Sequence, residues 1–504
     1  MKSTLLFYQG TKSTLWHGFT LPLSSKQGAC QPVVFSQPFF IFCFLPIALL
    51  LYYCTGGSVL CMLTISLLFY ACGATESVVL LLLLSLVTVI LCITMEKTEN
   101  PGHRRALLLL GIIMNGGALF YYKYFGFFVR QLSLFVPTLS LQNWSDAAMP
   151  LGISFFSFKA ISLLTDVYRR TVSLEGRLLP GLSYLSFFGH IQSGPIARFG
   201  GGGWDIQRQL PSWEAFCNGL QRFAVGLAKK AILADSLAKI ANNAFAVSPD
   251  SLSTGLAWLG AVSYALQLYY DFSGYSDMAI GLTGMFGFTC GENFNYPYMS
   301  ASISEFWRRW HISLGAWFRD YIYFPLGGSR VKSRTRLFFS LLAVWLLTGL
   351  WHGANWTFVC WGLFYWILVA LEKATGLPQR LKRKLTRGIY RLLCLVFIVF
   401  LWVLFRSPSL HHALLYIRAM VLHRSVPIQN LRAAFLLRDN WFFLLAGMLF
   451  CFPIIPWCEK RLANRGEWGA AWGLLLSAGI LLVFLWGVSF IIAGSNNPFL
   501  YANF

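Results

Sequence analysis

The sequence predicts an all-α polytopic membrane protein, and three observations predict it. Hydrophobic residues make up 57% of the 504 residues and charged ones only 12%, with a mean hydropathy of +0.60, more apolar matter than a soluble globular chain could cover with polar surface. The apolar residues come in runs suited to membrane-buried helices. The basic residues sit in short loops between those runs, a positive-inside pattern that accounts for the net charge of +21. So little soluble chain remains that a nucleic-acid partner is not expected.

Residues 1–32 are mixed polar and lack the apolar core of a signal peptide. We expect them to be a non-native or disordered extension, with translation starting at Val33 through a GTG codon, and residues 33–504 to form one membrane domain. The apolar windows then run Phe39 to Cys54, Ser58 to Cys72, Ser77 to Thr94, Ala106 to Tyr121, Leu252 to Leu268, Leu337 to Leu350, Ala354 to Leu371, Leu392 to Leu404, Trp441 to Trp457 and Ala471 to Ile492. Several are shorter than a bilayer is thick, so roughly ten to twelve spans are expected, with tilted, broken or re-entrant elements among them. The twelve cysteines contain no CxxC pair or zinc-like spacing and read as small buried hydrophobes.

Orientation follows from three basic loops, Lys97 to Arg105, Arg330 to Arg336 and Arg380 to Arg391, all expected to face the cytoplasm. The last two flank a pair of apolar runs interrupted by Trp351-His352-Gly353, which makes that pair a hairpin. His352 lies sixteen residues past Arg336, about 24 Å of helix at about 1.5 Å per residue, which puts it past the midplane of a hydrocarbon layer about 30 Å thick. Lipid offers an imidazole no solvent, so His352 must be buried in protein or line a wet cavity.

A second such histidine, His311, lies in residues 302–321, where five charges accompany three tryptophans and rule out a simple span. Ser302 and Glu305 have capping-box spacing, Glu305 and Arg309 form an i,i+4 pair, and His311 should lie one turn beyond Trp307 on the same face. Asp271 and Asp277, six apart in an apolar region, need partners. Arg308, Arg309 and Arg319 are the expected ones, in structural pairs that fix helix register. The Gly- and Pro-punctuated stretches 150–156 and 189–198 suit tunnel walls, with His190 a structural histidine. Gly200 to Gly203 reads as a flexible loop, since neither a preceding strand nor a following Lys-Ser/Thr makes it a phosphate loop. No Gly-x-Ser-x-Gly elbow, His-Glu-x-x-His or Cys/His ligand cluster is present. We therefore expect His352 and His311 to be acid–base groups acting without a metal.

Five ordered motifs give these residues a family resemblance. They are Asp271-Phe272-Ser273-Gly274-Tyr275-Ser276-Asp277-Met278-Ala279-Ile280-Gly281, Glu292-Asn293-Phe294-Asn295-Tyr296-Pro297-Tyr298, Phe306-Trp307-Arg308-Arg309-Trp310-His311-Ile312-Ser313-Leu314, Leu326-Gly327-Gly328-Ser329-Arg330 and Gly349-Leu350-Trp351-His352-Gly353-Ala354. Over residues 33–504 the chain resembles the membrane-bound O-acyltransferase family, in its bacterial alginate-O-acetyltransferase-like branch. The resemblance implies a ring of transmembrane and re-entrant helices around a central tunnel, with His352 as the family's catalytic histidine and His311 in the position of the second. Trp307, Arg308, Arg309, Trp310, Asp271, Asp277, Asn293 and Trp351 would line the tunnel or bind the donor.

It further implies transfer of an acetyl group from a cytoplasmic thioester, expected to be acetyl-CoA rather than a permanently bound cofactor. The group would cross the bacterial cytoplasmic (inner) membrane to an extracytoplasmic SGNH-type acetyltransferase or another polysaccharide-modifying protein of the envelope. The rival readings are transfer of D-alanine to teichoic acid or lipid, and a non-enzymatic polysaccharide transporter.

Overall fold

The computed structural model describes residues 33–136, 149–200, 204, 210–328, 333–462, 467–494 and 499–500. Their regular structure is helical apart from one isolated bridge between Phe199 and Trp204, with turns and irregular chain between the helices. The expected N-terminal extension, Gly201 to Gly203 and the motif residues Ser329 and Arg330 lie outside them.

A π-helical turn, Phe40–Phe44, leads into α1 (Leu45–Cys54), followed by α2 (Val59–Ala74), α3 (Val78–Lys97) and α4 (Pro101–Leu119). A second π turn, Phe120–Tyr124, joins α4 to α5 (Phe125–Ser133); α6 (Ile153–Tyr168) and α7 (Leu178–Ser186) come next. Helix α8 (Trp213–Ala228) passes through the π segment Lys229–Ala234 into α9 (Asp235–Phe245), and α10 (Thr254–Met285) follows. Two short helices, α11 (Ile303–Arg309) and α12 (Ile312–Phe318), precede the hairpin of α13 (Arg334–His352) and α14 (Trp356–Thr375). The chain ends in α15 (Leu377–Arg380), α16 (Lys384–Arg406), α17 (Leu410–Val421), α18 (Pro427–Leu449), α19 (Ile454–Leu462) and α20 (Glu467–Ile492).

Helix starts are set by side chains that take the first free N–H groups, which matters most where no water can. Asn100 accepts from Gly102 N at 2.8 Å ahead of Pro101. Ser253, Ser333 and Asn355 do the same for α10, α13 and α14.

Six helical stretches among the described residues are long and apolar enough to cross a membrane: Val59–Lys97, Pro101–Ser133, Arg334–His352, Trp356–Thr375, Lys384–Arg406 and Trp468–Ile492. The pair α18 and α19, bent by 55°, makes a seventh if it is one span. That is fewer than the ten to twelve read from apolar windows. The windows from Ser58 and Ser77 belong to one helical stretch, Phe39 to Cys54 falls in a short helix, and Leu252 to Leu268 opens the 32-residue α10.

Helix α10 is buried over most of its length, and its serines, tyrosines and aspartates face protein, where polar groups are tolerated at membrane depth. It meets α8 backbone to backbone. A Cβ on Gly226 would lie 2.6 Å from the Gly274 carbonyl oxygen, and one on Gly281 would lie 2.5 Å from that of Gly219, the close approach that small residues permit between membrane helices.

Candidate active site

The segment expected to be one helix is broken at its histidine. Helix α11 stops at Arg309, Trp310 is extended, His311 is left-handed (φ 45°, ψ 55°) and α12 restarts at Ile312. That conformation is costly for a residue with a Cβ. The loop 293–295 occupies the break and holds it open, with Ile312 N donating to Asn293 O and Asn295 N to Arg309 O, each at 2.9 Å. The Asn293 side chain Oδ1 accepts from Ser313 N (3.2 Å) and Ser313 Oγ (2.9 Å) and lies 3.1 Å from His311 Nδ1. Its amide nitrogen donates to Ser276 Oγ on α10 at 2.9 Å. A carbonyl acceptor at Nδ1 calls for the proton on that nitrogen and leaves the lone pair on Nε2. Burial pushes the His311 imidazole down to about 3, so it is neutral at physiological pH.

His352 is the last residue of α13, at the tip of the hairpin with α14. The hairpin is tight because Gly349 and Gly362 face it: added Cβ atoms would lie 2.4 Å from the carbonyl oxygens of Phe358 and Trp345. The Trp351 ring sits between the two histidines, its centroid 5.7 Å from His311 and 5.0 Å from His352. Trp361 and Phe405, each 5.1 Å from His352, form further walls, and Phe272 meets His311 edge-on at 4.6 Å.

Two polar residues that the sequence reading missed hold this helix end. Lys123 Nζ donates to Trp351 O at 2.5 Å and to Ser154 Oγ at 3.2 Å, and Tyr124 OH donates to Leu350 O at 2.9 Å. The carbonyls at a helix C-terminus are unsatisfied and carry partial negative charge; here they are capped next to His352. The signal was a lysine just past the apolar window that ends at Tyr121. Phe499 and Leu500 were missed as well. Leu500 N donates to Asp271 Oδ2 at 2.9 Å, while Phe499 stacks on Tyr275 at 4.5 Å and lies 6.3 Å from Phe272.

The other candidates divide. Trp310 lies beside His311, and Trp307 packs on Trp361 and Tyr365 at 5.4 and 4.8 Å. Arg308 is exposed, and Arg309 pairs with Glu305 at 2.8 Å and reaches Asn295 O at 3.2 Å. The Ser302 cap forms as expected, with Glu305 reaching Ala301 N rather than that of Ser302.

The aspartates do pair, but not with the expected arginines. Asp271 meets Lys230 at 2.9 Å, and Asp277 meets Arg222 (2.6 Å) and Lys229 (2.5 Å). Glycine-mediated contact brings α8 and its π extension against that side of α10, whereas Arg319 turns to its neighbour Asp320 at 2.7 Å. His190 bonds Thr283 Oγ1 at 2.8 Å, in keeping with a structural role.

The arrangement is a buried aromatic cluster that brings two imidazoles together through one indole. Such groups can take a proton from a hydroxyl and return one to a leaving thiolate. The family model described as MBOAT, membrane-bound O-acyltransferase family, matches residues 177–416, a range that contains both histidines. The chain is 36% identical to a probable alginate O-acetylase of Pseudomonas putida, over 94% of this chain and all of the relative. It is 31% identical to a peptidoglycan O-acetyltransferase of Helicobacter pylori, over 94% and 98% of the two chains. A teichoic acid D-alanyltransferase of Bacillus subtilis is 27% identical over 52% of this chain and 70% of its own length.

Proposed function

The chain belongs to the membrane-bound O-acyltransferase family, and we propose that it is a multi-pass O-acetyltransferase that serves a cell-surface polysaccharide, with His352 as its base. The observation that carries the base assignment is the placing of His352 at a capped helix end inside the aromatic cluster, one indole from His311. The near full-length likeness to an alginate O-acetylase and a peptidoglycan O-acetyltransferase supports the reaction class.

In the proposed reaction a hydroxyl acceptor reaches the cluster and His352 removes its proton as the oxygen attacks a thioester carbonyl. His311, locked by Asn293, orients one of the two reactants. The donor is a cytoplasmic thioester, which we take to be acetyl-CoA. The membrane is the bacterial cytoplasmic one, and an extracytoplasmic SGNH-type acetyltransferase then places the acetyl group on the polymer.

The test is His352→Ala and, separately, His311→Ala, each in a strain lacking the native gene. With protein level in the membrane unchanged, polymer acetyl ester should fall by about 10²-fold or more in the His352 variant, the scale of general-base loss. Undiminished ester would refute the assignment. Transfer of D-alanine is the second reading, favoured by the likeness to a D-alanyltransferase over about half of this chain. Mild alkali separates the two, since it releases acetate from one polymer and alanine from the other.

A further inference from the structure

Around the two histidines lies a set of hydrogen-bond donors that the reaction described so far does not use. The indole Nε1 atoms of Trp310, Trp351 and Trp361 are buried and have no acceptor among the described residues, and these side chains are at most 4% exposed. An indole N–H can only donate, and a buried donor left without an acceptor costs about 1–3 kcal/mol. Buried orphans are rare in native proteins and point to strain, catalysis or an absent occupant. Two of them, on Trp351 and Trp361, pack against His352 and mark a place built to receive an oxygen acceptor.

The acyl-transfer chemistry supplies such an oxygen. As the hydroxyl oxygen attacks the thioester carbon, the new C–O bond forms, the carbonyl π electrons move onto the carbonyl oxygen, and the hydroxyl proton passes to His352. Collapse re-forms the C=O bond and breaks the C–S bond, and the thiolate leaves and takes up a proton. The negative oxygen of the intermediate needs donors that are already aimed at it. In a soluble enzyme backbone N–H groups often serve, but at membrane depth helical N–H groups are committed to their own helices. At His352 the backbone presents the C-terminal end of α13, whose partial charge is negative and has the wrong sign. Side-chain donors beside His352 are therefore the candidates that the α13 end leaves.

We propose that the indole N–H groups of Trp351 and Trp361 form the oxyanion hole of this enzyme. Both pack against the proposed base, with ring centroids 5.0 and 5.1 Å from that of His352, on the two helices of one hairpin. Trp351 also faces His311. The capped Leu350 and Trp351 carbonyls keep competing negative charge away from that oxygen.

This rests on the acyltransferase reading, and the experiment separates the two. Purified full-length protein in lipid nanodiscs is given acetyl-CoA together with an oligosaccharide as hydroxyl acceptor, and release of free thiol is followed for the wild type, His352→Ala, Trp361→Phe, Trp351→Phe and Trp345→Phe. Thiol release by wild type that disappears in His352→Ala upholds the reaction, and its absence overturns that reading and the present one with it.

With the reaction upheld, Trp361→Phe and Trp351→Phe should each lower kcat by about 10²-fold with KM for acetyl-CoA within about twofold, as loss of one oxyanion donor does. Trp345 belongs to the same aromatic array, 6.4 Å from Trp361, and its variant should keep kcat within about threefold. A raised KM with kcat intact in the Trp361 and Trp351 variants, or an equal fall in kcat for all three tryptophans, would mean packing alone and overturn the assignment. Should a Phe variant not fold, replacing the same tryptophan by its benzothiophene analogue removes the N–H while keeping the ring's shape, and the same fall in kcat is required.

Discussion

Lys123 illustrates how single side chains decide the chemistry here. Its ammonium is spent on the Trp351 carbonyl, one residue from the proposed base, at a helix end where lipid supplies no donor. Lys123→Met should leave that carbonyl unsatisfied, lower the stability of the protein in detergent by about 1–3 kcal/mol and cut thiol release from acetyl-CoA at least tenfold, with partial recovery in Lys123→Arg. Thermal unfolding and turnover measured together on the three proteins check this; full activity in Lys123→Met would show the cap to be idle.

His311 makes a pH prediction. Its folded value near 3 lies below the ordinary imidazole value of about 6.5, so the unfolded chain binds the extra proton first. This contribution to stability is fully present above about 6.5 and declines as pH falls from there toward 3, by about 1.4 kcal/mol for each unit. His311→Asn removes it, so the drop in unfolding temperature between pH 7.5 and pH 5 should be smaller in the variant than in the wild type. An equal drop would place the titration elsewhere. His352 stood out in the sequence because an imidazole between apolar runs is anomalous, and His311 because it sits in a charged, tryptophan-rich segment that cannot be a simple span, whereas Lys123 did not, because its role depends on a carbonyl 228 residues away.

At the scale of elements, the hairpin α13–α14 was legible and the broken helix α11–α12 was not. The hairpin is specified locally by two apolar runs, the caps Ser333 and Asn355 at their starts, and glycines that let the two backbones touch. The break at His311 is specified from outside, by Asn293 and its neighbours on a loop eighteen residues earlier, so local helix spacing pointed to a continuous helix. The π segment Lys229–Ala234 was hidden for the same reason: Lys230 is drawn to Asp271 on another helix as well as to nearby Asp235.

The hairpin yields a sharp test. A methyl group on Gly362 would stand 2.4 Å from the Trp345 carbonyl oxygen, and a backbone cannot yield as a side chain does. Gly362→Ala should cost about 1–3 kcal/mol and, by shifting the strut that carries His352, lower turnover well beyond its effect on folding. Gly473→Ala, on α20 with open space around it, is the control. Equal behaviour of the two would deny that this contact positions the base.

For the whole molecule, sidedness connects the fold to the direction of transfer. Residues at or beside the first two basic loops and near the end of α14 are joined by contacts into one cluster, the face taken here as cytoplasmic. Arg104 donates to Met95 O and Tyr168 O at 2.9 and 2.8 Å, and Arg169 just beyond reaches Asp320 O at 3.1 Å. From that segment Tyr323 OH accepts from Lys373 at 3.0 Å and Leu326 O from Arg336 at 3.1 Å. Segments far apart in sequence thus come together near these basic residues, though apolar windows alone could not separate true spans from the protein-buried α10. With that face cytoplasmic, His352 stands eighteen residues along α13 from Arg334, about 27 Å at the usual rise, toward the far side of the bilayer. Helix α16 makes the same crossing over 23 residues, from Lys384 to Arg406, and delivers the exposed His411 to the far face. In a background with the native cysteines replaced, His411→Cys should react with a membrane-impermeant maleimide added to intact cells. Arg387→Cys should react only after the membrane is opened. The reverse pattern would put His352 near the cytoplasmic surface, and an acetyl group handed over there would still have the membrane to cross.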